Sequence, residues 1–265
     1  ASSYVNKIKL VTLVGDHRTK MGFIKKLAPD NVELKLFTKE NSPTTLKKRY
    51  IDYYRNNKLF KIEFMNDMPI SKDLTEEIVN YLNEETPKYD LVVVGDFGHG
   101  FINDAIREVL EKKSNFLSVD VQSNSANMGY NYINHYGKVN FIKMDEPEIR
   151  LPLMRRYEDI EEVMNEFNIK FGYSKFLISL GKSGSIFFNN GYICRSPILI
   201  DTVVDTMGAG DAAFAIASLL MYIKADNELI PLIANCAGGI KANIMGNKES
   251  VTKEKLMEFV KDILK

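Results

Sequence analysis

Residues 205–211 read Asp-Thr-Met-Gly-Ala-Gly-Asp and run directly into the apolar segment 212–223, and this motif is the most informative part of the sequence. An apolar run of this length directly after small residues predicts the start of a buried helix. The first turn of a helix presents N–H groups that have no partner within the helix, and the helix dipole adds positive potential there. The small residues Gly208, Ala209 and Gly210 would let an anion come within hydrogen-bonding distance of those groups. The stretch therefore predicts an anion hole.

Phosphoryl transfer is the chemistry that suits this arrangement. The reaction needs charge stabilisation on the moving group and a carboxylate that takes the acceptor's proton, more than it needs covalent chemistry from the protein. Asp211, directly after the glycines, would be that catalytic base. The structural alternative is a glycine-rich turn in which Asp211 only caps the helix, since Asp is a preferred cap residue. The complete heptapeptide, preceded by the strand-like residues 198–204, favours the phosphate site.

The heptapeptide resembles the D-T-x-G-A-G-D signature of the ribokinase family of carbohydrate kinases, also called the PfkB family. The resemblance extends over nearly the whole chain. It implies transfer of the γ-phosphoryl group of ATP to a hydroxyl of a small sugar or sugar phosphate. It also implies a three-layer α-β-α ribokinase-like fold, which is a Rossmann-like α/β arrangement with a mostly parallel sheet and a small β-sheet lid. In that family the first Asp of the signature, here Asp205, helps hold K⁺ or another monovalent cation.

Two further segments resemble the nucleotide-binding parts of the same family. Residues 179–184, Ser-Leu-Gly-Lys-Ser-Gly, match its S/T-x-G-x-x-G turn, which lies along the nucleotide phosphates. Residues 235–243 resemble the small-residue helix that borders the adenine, although close packing alone would also select small residues. The candidate ATP-binding residues are Ser179, Gly181, Lys182, Gly184, Asn235 and Gly239.

A quartet of residues, Asp145-Glu-Pro-Glu148, stands where the family carries N-x-x-E, a motif tied to hydrated Mg²⁺. Asp replaces Asn at position 145. Either carboxylate of Asp145 and Glu148 could hold Mg²⁺ through water, because that ion keeps several waters and takes only one or two carboxylates. The alternative is an acidic, solvated helix start.

Two segments resemble the substrate regions of heptose-phosphate kinases, which are often fused to a nucleotidyltransferase and make ADP-heptose precursors. Residues 90–100 resemble their S-D-Y-x-x-G turn, which makes Asp96 and Gly98 candidate sugar contacts and leaves His99 as either a ligand or a loop-packing residue. A carboxylate at the end of a parallel strand fits the usual place of a ligand in an open α/β sheet.

The second such segment, residues 44–50, resembles the T-x-x-K-x-R region of the heptose-phosphate kinases. Lys47 and Arg49 would bind a phosphate that the substrate already carries, unless they are solvated strand charges. The resemblance thus implies a D-glycero-D-manno-heptose 7-phosphate 1-kinase. A non-catalytic or weakly active nucleotide- or sugar-binding domain of a larger bifunctional protein is the alternative.

Composition narrows the class of partner. The 35 basic and 35 acidic residues cancel, so no overall field draws the chain to nucleic acid or to an anionic membrane. Cys194 and Cys236 lack the spacing of a metal site or a disulfide framework. No apolar run approaches the roughly 18 to 20 residues that cross a bilayer, and the start does not resemble a signal peptide. We therefore expect a cytoplasmic enzyme that acts on a small molecule.

Strand-like and helix-like segments alternate along most of the chain, which is typical of βα units and a largely parallel sheet. Residues 32–37 and 45–64 break this rhythm, because they are strand-rich and have no helix between them. They predict a small separate sheet, with a turn at Asn56-Asn57, that acts as a lid. The predicted division is a core of 1–30 and 68–265 and a lid of 31–67. An edge hairpin without a role at the site is the alternative. Lid sheets in the family often pair across a dimer, so a homodimer is a further expectation.

The front of the sequence departs from the family pattern. The family begins with a strand, a substrate-binding Asp and a Gly-Gly motif followed by Asn, and none of these is found before residue 9. We therefore expect a further segment ahead of Ala1, with the loss of a strand and of activity as the alternative. A nicotinamide-dependent enzyme is disfavoured, because the first strand ends in residues 15–18, Gly-Asp-His-Arg, and not in G-x-G-x-x-G.

Overall fold

The computed structural model describes residues 1–52, 58–124, 127–200 and 202–264. Its main sheet has six strands in the order β10-β9-β8-β7-β6-β5. These strands are β5 Val92–Asp96, β6 Leu117–Val121, β7 Phe141–Asp145, β8 Lys175–Ser179, β9 Ser185–Asn189 and β10 Tyr192–Ser196. β5 to β8 run parallel, and β9 and β10 continue the sheet antiparallel. The carboxyl ends of four neighbouring strands therefore lie at one edge of the sheet, where ligands of such folds bind.

Helices cover both faces of this sheet. They are α2 Lys72–Glu85, α3 Asp104–Lys113, α4 Glu146–Arg150, α5 Ile160–Phe171, α6 Ala209–Tyr222, α7 Leu229–Ala242 and α8 Lys253–Ile263. Residues of α2, α3 and α5 share one core with Phe176 and Ile178 of β8, whereas α6 and α7 pack against Leu177 on the other face. Alternate side chains of a strand point to opposite faces, so β8 serves both cores. The predicted three-layer α-β-α fold is confirmed.

Aromatic rings fill the core beneath α5. The Phe176 ring stacks on Phe188 with centroids 4.7 Å apart, and the Phe167 ring meets Phe176 edge-on at 5.4 Å. All of these rings are buried. Offset stacked and edge-on pairs are the favoured arrangements of aromatic rings and add to the stabilisation from burial.

The first part of the chain forms a parallel βαβ unit: β1 Ile8–His17, α1 Met21–Leu27 and β2 Val32–Pro43. The prediction that residues 32–37 belong to a separate lid sheet with 45–64 is therefore wrong. The helix α1 returns the chain so that β2 pairs in parallel with β1, and the Phe37 side chain is buried in the main core. The Phe37 ring meets Tyr81 of α2 at 5.5 Å.

A separate two-stranded sheet follows, made of the antiparallel strands β3 Leu46–Ile51 and β4 Lys58–Phe64. The predicted turn at Asn56-Asn57 lies outside the described residues. The Tyr50 and Phe60 rings stack across the strand pair with centroids 4.5 Å apart. The division into core and lid stays a prediction, but of the predicted lid 31–67 only β3 and β4 pair with each other, because β2 pairs with β1 in another two-stranded sheet.

Residues 198–204 do not form the predicted strand in the part of this segment that is described. Strand β10, which the sequence analysis did not predict, ends at Ser196. The N–H groups of Val204 and Asp205 both donate to the carbonyl oxygen of Ala242, each at 2.9 Å. The last carbonyl groups of a helix have no partner within the helix. The carbonyl at the end of α7 can therefore accept from the N–H groups of Val204 and Asp205, which a neighbouring strand would otherwise bind.

Within the described residues, no helix combines the length and the apolar character needed to span a membrane.

Phe176→Ala should lower the free energy of unfolding by about 3 to 5 kcal/mol, because it removes a buried ring and leaves a cavity between two others. Urea unfolding followed by circular dichroism measures this change. Phe23→Ala is the matched control, since that ring in α1 is 61% exposed and its loss should cost well under about 1 kcal/mol. Equal costs for the two variants would contradict the core described above.

Candidate active site

The start of α6 lies against the ends of the parallel strands. The Gln122 side chain, directly after β6, donates from Nε2 to Asp211 Oδ1 at 3.3 Å. A Cβ added to Gly210 would lie 3.1 Å from Nζ of Lys143 in β7. The predicted anion hole and the carboxyl edge of the sheet therefore form one site.

The turn has the backbone that its glycines require. Gly208 is the N-cap of α6 with φ +75°, a left-handed conformation that glycine adopts at little cost. The Ala209 N–H donates to the Thr206 carbonyl oxygen at 3.2 Å, and the Ala212 N–H to the Gly208 carbonyl oxygen at 2.9 Å. The N–H groups of Gly210 and Asp211 belong to the first turn, where a helix has no acceptor of its own. These two amides are thus better placed for an anion than that of Ala209.

Asp211 is exposed and faces solvent space. It lines an open cleft of about 320 Å³ together with Gly208, Ala212 and Lys241. Its carboxylate keeps acceptor capacity beyond the single bond from Gln122, because a carboxylate offers about four lone-pair sites. The geometry leaves Asp211 free to accept a proton from a molecule in the cleft.

Lys143 is a buried lysine in the middle of β7, with 2% of its surface exposed. Its Nζ lies 2.8 Å from Asp145 Oδ1 and 3.9 Å from Asp120 Oδ2. Burial lowers the pKa of Lys143, but the carboxylates of Asp120 and Asp145 outweigh burial and the net shift is upward. The Lys143 ammonium therefore stays charged, and it lies beside Gly210 of the turn.

Asp120 in β6 is the buried partner on the other side of this lysine. Burial raises its pKa to about 7 against the lowering effect of Lys143, and the carboxylates of Glu148, Asp145 and Asp211 add to the rise. Its Oδ1 is buried and has no hydrogen-bond partner. Asp120 thus gains a proton more readily than an exposed aspartate.

Asp145 and Glu148 form a capping box at the start of α4, in which each side chain accepts from the backbone N–H of the other residue. Glu148 is buried and accepts from the N–H groups of Ser123 at 2.9 Å and Asp145 at 2.7 Å. Burial raises the pKa of Glu148, against the lowering effect of these bonds. Asp145 remains 56% exposed and turns one oxygen to Lys143. Among the described residues no cluster of three or more His, Cys, Asp or Glu side chains could hold a metal alone.

The predicted phosphate turn of the nucleotide follows β8 at the same edge. Ser179 pairs with Asp145 in the sheet, so the turn begins beside the acidic quartet. Gly181 and Gly184 have φ +57° and +85°, and a Cβ on Gly184 would lie 2.1 Å from the Ser196 carbonyl oxygen. Only glycine fits that position. Lys182 is exposed at the tip.

The two predicted adenine contacts in α7 both lie against the segment after β10. Asn235 donates from Nδ2 to the carbonyl oxygens of Ser196 at 3.1 Å and Pro197 at 3.0 Å. A Cβ on Gly239 would lie 2.8 Å from the Ile200 side chain. Both residues hold the segment after β10 against α7, which favours the close-packing alternative for this helix.

The predicted sugar contact Asp96 is buried, with 3% of its surface exposed. Its Oδ1 accepts from the Gly98 N–H at 3.0 Å and its Oδ2 from the Tyr136 hydroxyl at 2.9 Å. Gly98 has φ +64° and lies against Asn127. These bonds fix the loop after β5, so a direct bond from Asp96 to a sugar would have to share an occupied oxygen.

The predicted phosphate contacts Lys47 and Arg49 lie on β3 and share one face of it. Lys47 Nζ is 3.6 Å from Glu63 Oε1 and lies 5.5 Å from the centre of the Phe97 ring, which links the hairpin to the loop after β5. His99 stacks on Phe97 with centroids 5.9 Å apart, and burial lowers its pKa.

Asp205 opens the turn with a buried carboxylate. It accepts from the N–H groups of Met207 at 3.0 Å and Gly246 at 2.9 Å, and Lys58 Nζ of β4 lies 2.6 Å from its Oδ1. Burial raises the pKa of Asp205, but these three bonds outweigh burial and lower it to about 2. The carboxylate is therefore ionised and already has a cationic partner.

Sequence reasoning missed five polar residues of the site, although Lys58 and Lys241 lie within the segments 45–64 and 235–243 that it used for other residues. A charged residue inside the apolar strands β6 and β7 was the available signal for Asp120 and Lys143. The other residues carried no local signal, because only the fold brings them to the turn. These five residues are Lys58, Asp120, Gln122, Lys143 and Lys241.

Asp120→Asn should change how stability depends on pH. The folded pKa of about 7 lies above the ordinary value of 3.8, so this group's contribution is complete below pH 3.8 and is lost as the pH rises through 7. Asn has no proton to lose. The unfolding free energy of wild type minus that of the variant should thus fall by roughly 1 to 4 kcal/mol between about pH 4 and pH 8.

Urea unfolding at a series of pH values measures this difference. Asp90→Asn, the same change at an exposed position, should keep the wild-type pH profile. A difference between wild type and Asp120→Asn that stays constant with pH would contradict a buried, ionisable Asp120.

The family model described as pfkB family carbohydrate kinase matches residues 1–226. The bifunctional protein HldE of a Nitratiruptor species is 22% identical over 263 residues, which cover 98% of this chain and 54% of that protein. HldE of Desulfatibacillum aliphaticivorans is 24% identical over 209 residues, which cover 77% of this chain and 42% of that protein. The chain thus spans about half the length of the curated relatives that it matches.

Solved structures share the fold. Phosphofructokinase-2 from Escherichia coli in complex with potassium superposes with a TM-score of 0.79 at 14% identity, covering 98% of this chain and 83% of that chain. Ribokinase from Thermotoga maritima gives a TM-score of 0.73 at 16% identity, covering 96% and 81%. Ribokinase from Arabidopsis thaliana, complexed with ribose and ATP, gives 0.70 at 18% identity, covering 96% and 82%.

The family resemblance noted in the sequence is thus confirmed by a model that covers well over half of the chain, and the fold agrees with it. The chain belongs to the pfkB family of carbohydrate kinases, phosphotransferases whose acceptor is an alcohol group.

Proposed function

We propose that this chain transfers the γ-phosphoryl group of ATP to a hydroxyl of a sugar or sugar phosphate. The observation that carries the proposal is the exposed Asp211 carboxylate in an open cleft, directly after the free amides of the α6 turn. Acid–base chemistry next to a preorganised anion hole is what phosphoryl transfer requires.

The residues divide the reaction among them. Asp211 takes the proton of the sugar hydroxyl, whose oxygen then forms the bond to the γ-phosphorus of ATP as the bond from that phosphorus to the bridging oxygen breaks and ADP leaves. The Gly210 and Asp211 amides would hold the equatorial oxygens of the moving group. Lys143, behind the turn, adds a fixed positive charge in a buried, low-dielectric place.

The acidic quartet suits a magnesium ion that arrives with ATP. Asp145 is exposed and has an oxygen that does not bond to Lys143, so it would hold Mg²⁺ directly or through water. Glu148 uses both oxygens on backbone N–H groups, so it would act by fixing Asp145 and the loop at Ser123. Bound Mg²⁺ supplies charge neutralisation on the phosphates.

We further propose a heptose phosphate as the substrate, with D-glycero-D-manno-heptose 7-phosphate 1-kinase activity as the specific form. The name HldE among the relatives and the likeness of residues 44–50 and 90–100 to heptose-phosphate kinases support it. Lys47 and Arg49 would bind the phosphate that such a substrate carries, with the hairpin β3–β4 as lid. A nucleotidyltransferase fused to this domain in the whole protein is part of the same proposal.

A homodimer that pairs through the hairpin is supported by its exposed apolar side chains. Phe60 and Ile62 share one face of β4 and are 55% and 38% exposed, and Tyr50, which stacks on Phe60 across the strand pair, is 38% exposed. Large apolar side chains in a continuous patch mark an interaction surface more often than a free one.

A nucleotide- or sugar-binding module without transfer activity is the second candidate. The bonding of Asp96 favours this binding module, because both carboxylate oxygens already accept hydrogen bonds, from the Gly98 N–H and from the Tyr136 hydroxyl. Calorimetric ATP binding without phosphoryl transfer to any heptose, ribose or fructose phosphate would support this candidate over the kinase.

Asp211→Asn should lower turnover by about two to four orders of magnitude, because the amide cannot take the hydroxyl proton. ATP affinity and thermal stability should stay near those of wild type. A coupled assay of ADP release measures turnover, and calorimetry measures ATP binding. Asp226→Asn, an exposed aspartate in the loop before α7, is the matched control and should keep full turnover. Undiminished turnover of Asp211→Asn would refute its role as base.

The paired change Lys47→Met and Arg49→Met should raise KM by at least about tenfold for phosphorylated acceptors and leave KM for unphosphorylated sugars unchanged. A screen of sugars and sugar phosphates by ADP release provides the acceptors. Lys48→Met changes a lysine on the opposite face of the same strand and should affect neither class. An equal rise for both classes would show that these residues do not bind the substrate phosphate.

A further inference from the structure

A second buried lysine lies behind the other glycine of the turn. Lys241, in the last turn of α7, is 7% exposed. A Cβ added to Gly208 would lie 3.2 Å from its Cε and 3.8 Å from its Nζ. The ammonium donates to the carbonyl oxygen of Gly246. A buried ammonium is costly unless it is partnered, so its place beside Gly208 needs a reason.

The partners of Lys241 connect it to the carboxylate that opens the turn. Gly246 gives its N–H to Asp205 Oδ2 at 2.9 Å and receives the Lys241 ammonium at its carbonyl oxygen. Asp205 has the Lys58 ammonium 2.6 Å from its other oxygen. Two ammonium groups are therefore attached to the short stretch that holds Gly208 in place.

The family resemblance implies a monovalent metal ion at Asp205, and the residues present do not fit one. Such an ion replaces its water shell with several carboxylate and carbonyl oxygens. Here the Asp205 carboxylate oxygens already bond to two backbone N–H groups and to the Lys58 ammonium. The Gly246 carbonyl oxygen likewise already accepts from Lys241. A further cation would meet two like charges at short range in a buried place, where repulsion is strong.

We propose that Lys241 is the built-in cation of the turn, so that this protein holds its phosphate site in shape without a monovalent metal. The ammonium carries the unit charge of K⁺ and has three N–H donors for the carbonyl oxygens that K⁺ would contact. Lys241 is a positioning residue, because it acts through Gly208 and Gly246. The inference rests on the proposed function only in that the turn holds a phosphate of ATP.

The test compares the ATP affinity of wild type and Lys241→Ala by calorimetry, in tetramethylammonium chloride and in KCl at equal ionic strength. Wild type should bind ATP equally in both salts. Lys241→Ala should bind at least about tenfold more weakly in tetramethylammonium chloride, because the turn loses a buried charge and its charge-assisted bond. KCl should restore most of that affinity, because the smaller side chain leaves room for the ion.

A second buried lysine provides the matched control. Lys39 is 9% exposed and donates to the backbone carbonyl oxygens of Asn66 and Met68, away from the turn. Lys39→Ala carries a similar folding cost, yet its ATP affinity should not respond to KCl. Lys241→Arg, which keeps the charge, should depend on KCl less than Lys241→Ala does.

Three results would overturn the inference: ATP affinity of wild type that rises specifically with KCl, a Lys241→Ala protein that binds ATP like wild type in both salts, or a loss of affinity that KCl does not restore. Failure of wild type to bind ATP in either salt would instead count against the proposed kinase. In that case the melting temperature tests the inference separately: KCl, compared with tetramethylammonium chloride, should raise the melting temperature of Lys241→Ala and leave that of wild type unchanged.

Discussion

The structure depends on the compensation of buried charge where α6 begins. The carboxylates of Asp120, Asp145, Glu148 and Asp211 raise one another's electrostatic energy at the ends of β6 and β7. A nucleotide would bring still more negative charge to the same place. The Lys143 ammonium and the positive end of the α6 dipole oppose it. Without them, burial of the Asp120 and Glu148 carboxylates, close to those of Asp145 and Asp211, would be too costly for a folded site.

This constraint explains why the site lies between elements distant in sequence. Asp120 of β6, and Lys143 and Asp145 of β7, place charged groups in the carboxyl-terminal part of their strands, whereas the apolar side chains of the same strands are buried on both faces. The polar residues can therefore gather only at the edge of the sheet, where α6 adds its amides. Positions 208 and 210 admit nothing larger than glycine without displacing a lysine, so the turn and the buried charges constrain each other.

The three-layer fold could be predicted because strand and helix periods alternate clearly, and because one heptapeptide specifies the start of α6. The prediction failed where tertiary contacts decide. The alternating pattern of residues 32–37 fits pairing with β1 and pairing with the hairpin equally well. The structure shows the pairing with β1, which buries Phe37 in the main core. Asp96 and Asn235 stay predicted ligand contacts, and the sequence could not show the bonds that Tyr136 and residues 196–197 make to them from distant parts of the chain.

The lysines show best what a local pattern leaves out. A charge inside an apolar strand marks Lys143 as unusual, but the sequence around residues 58, 143 and 241 does not indicate that these side chains reach the same turn, since a lysine in a strand or at a helix end is usually solvated. Yet a carboxylate such as Asp205, with its side chain 1% exposed, stays ionised only if cationic or N–H partners meet it. Once the fold is known, the cationic or N–H partners of each buried carboxylate therefore identify residues of a site that sequence motifs alone do not. It also decides whether a site needs a cation from solution, because a lysine already in place removes both the room and the electrostatic need for one.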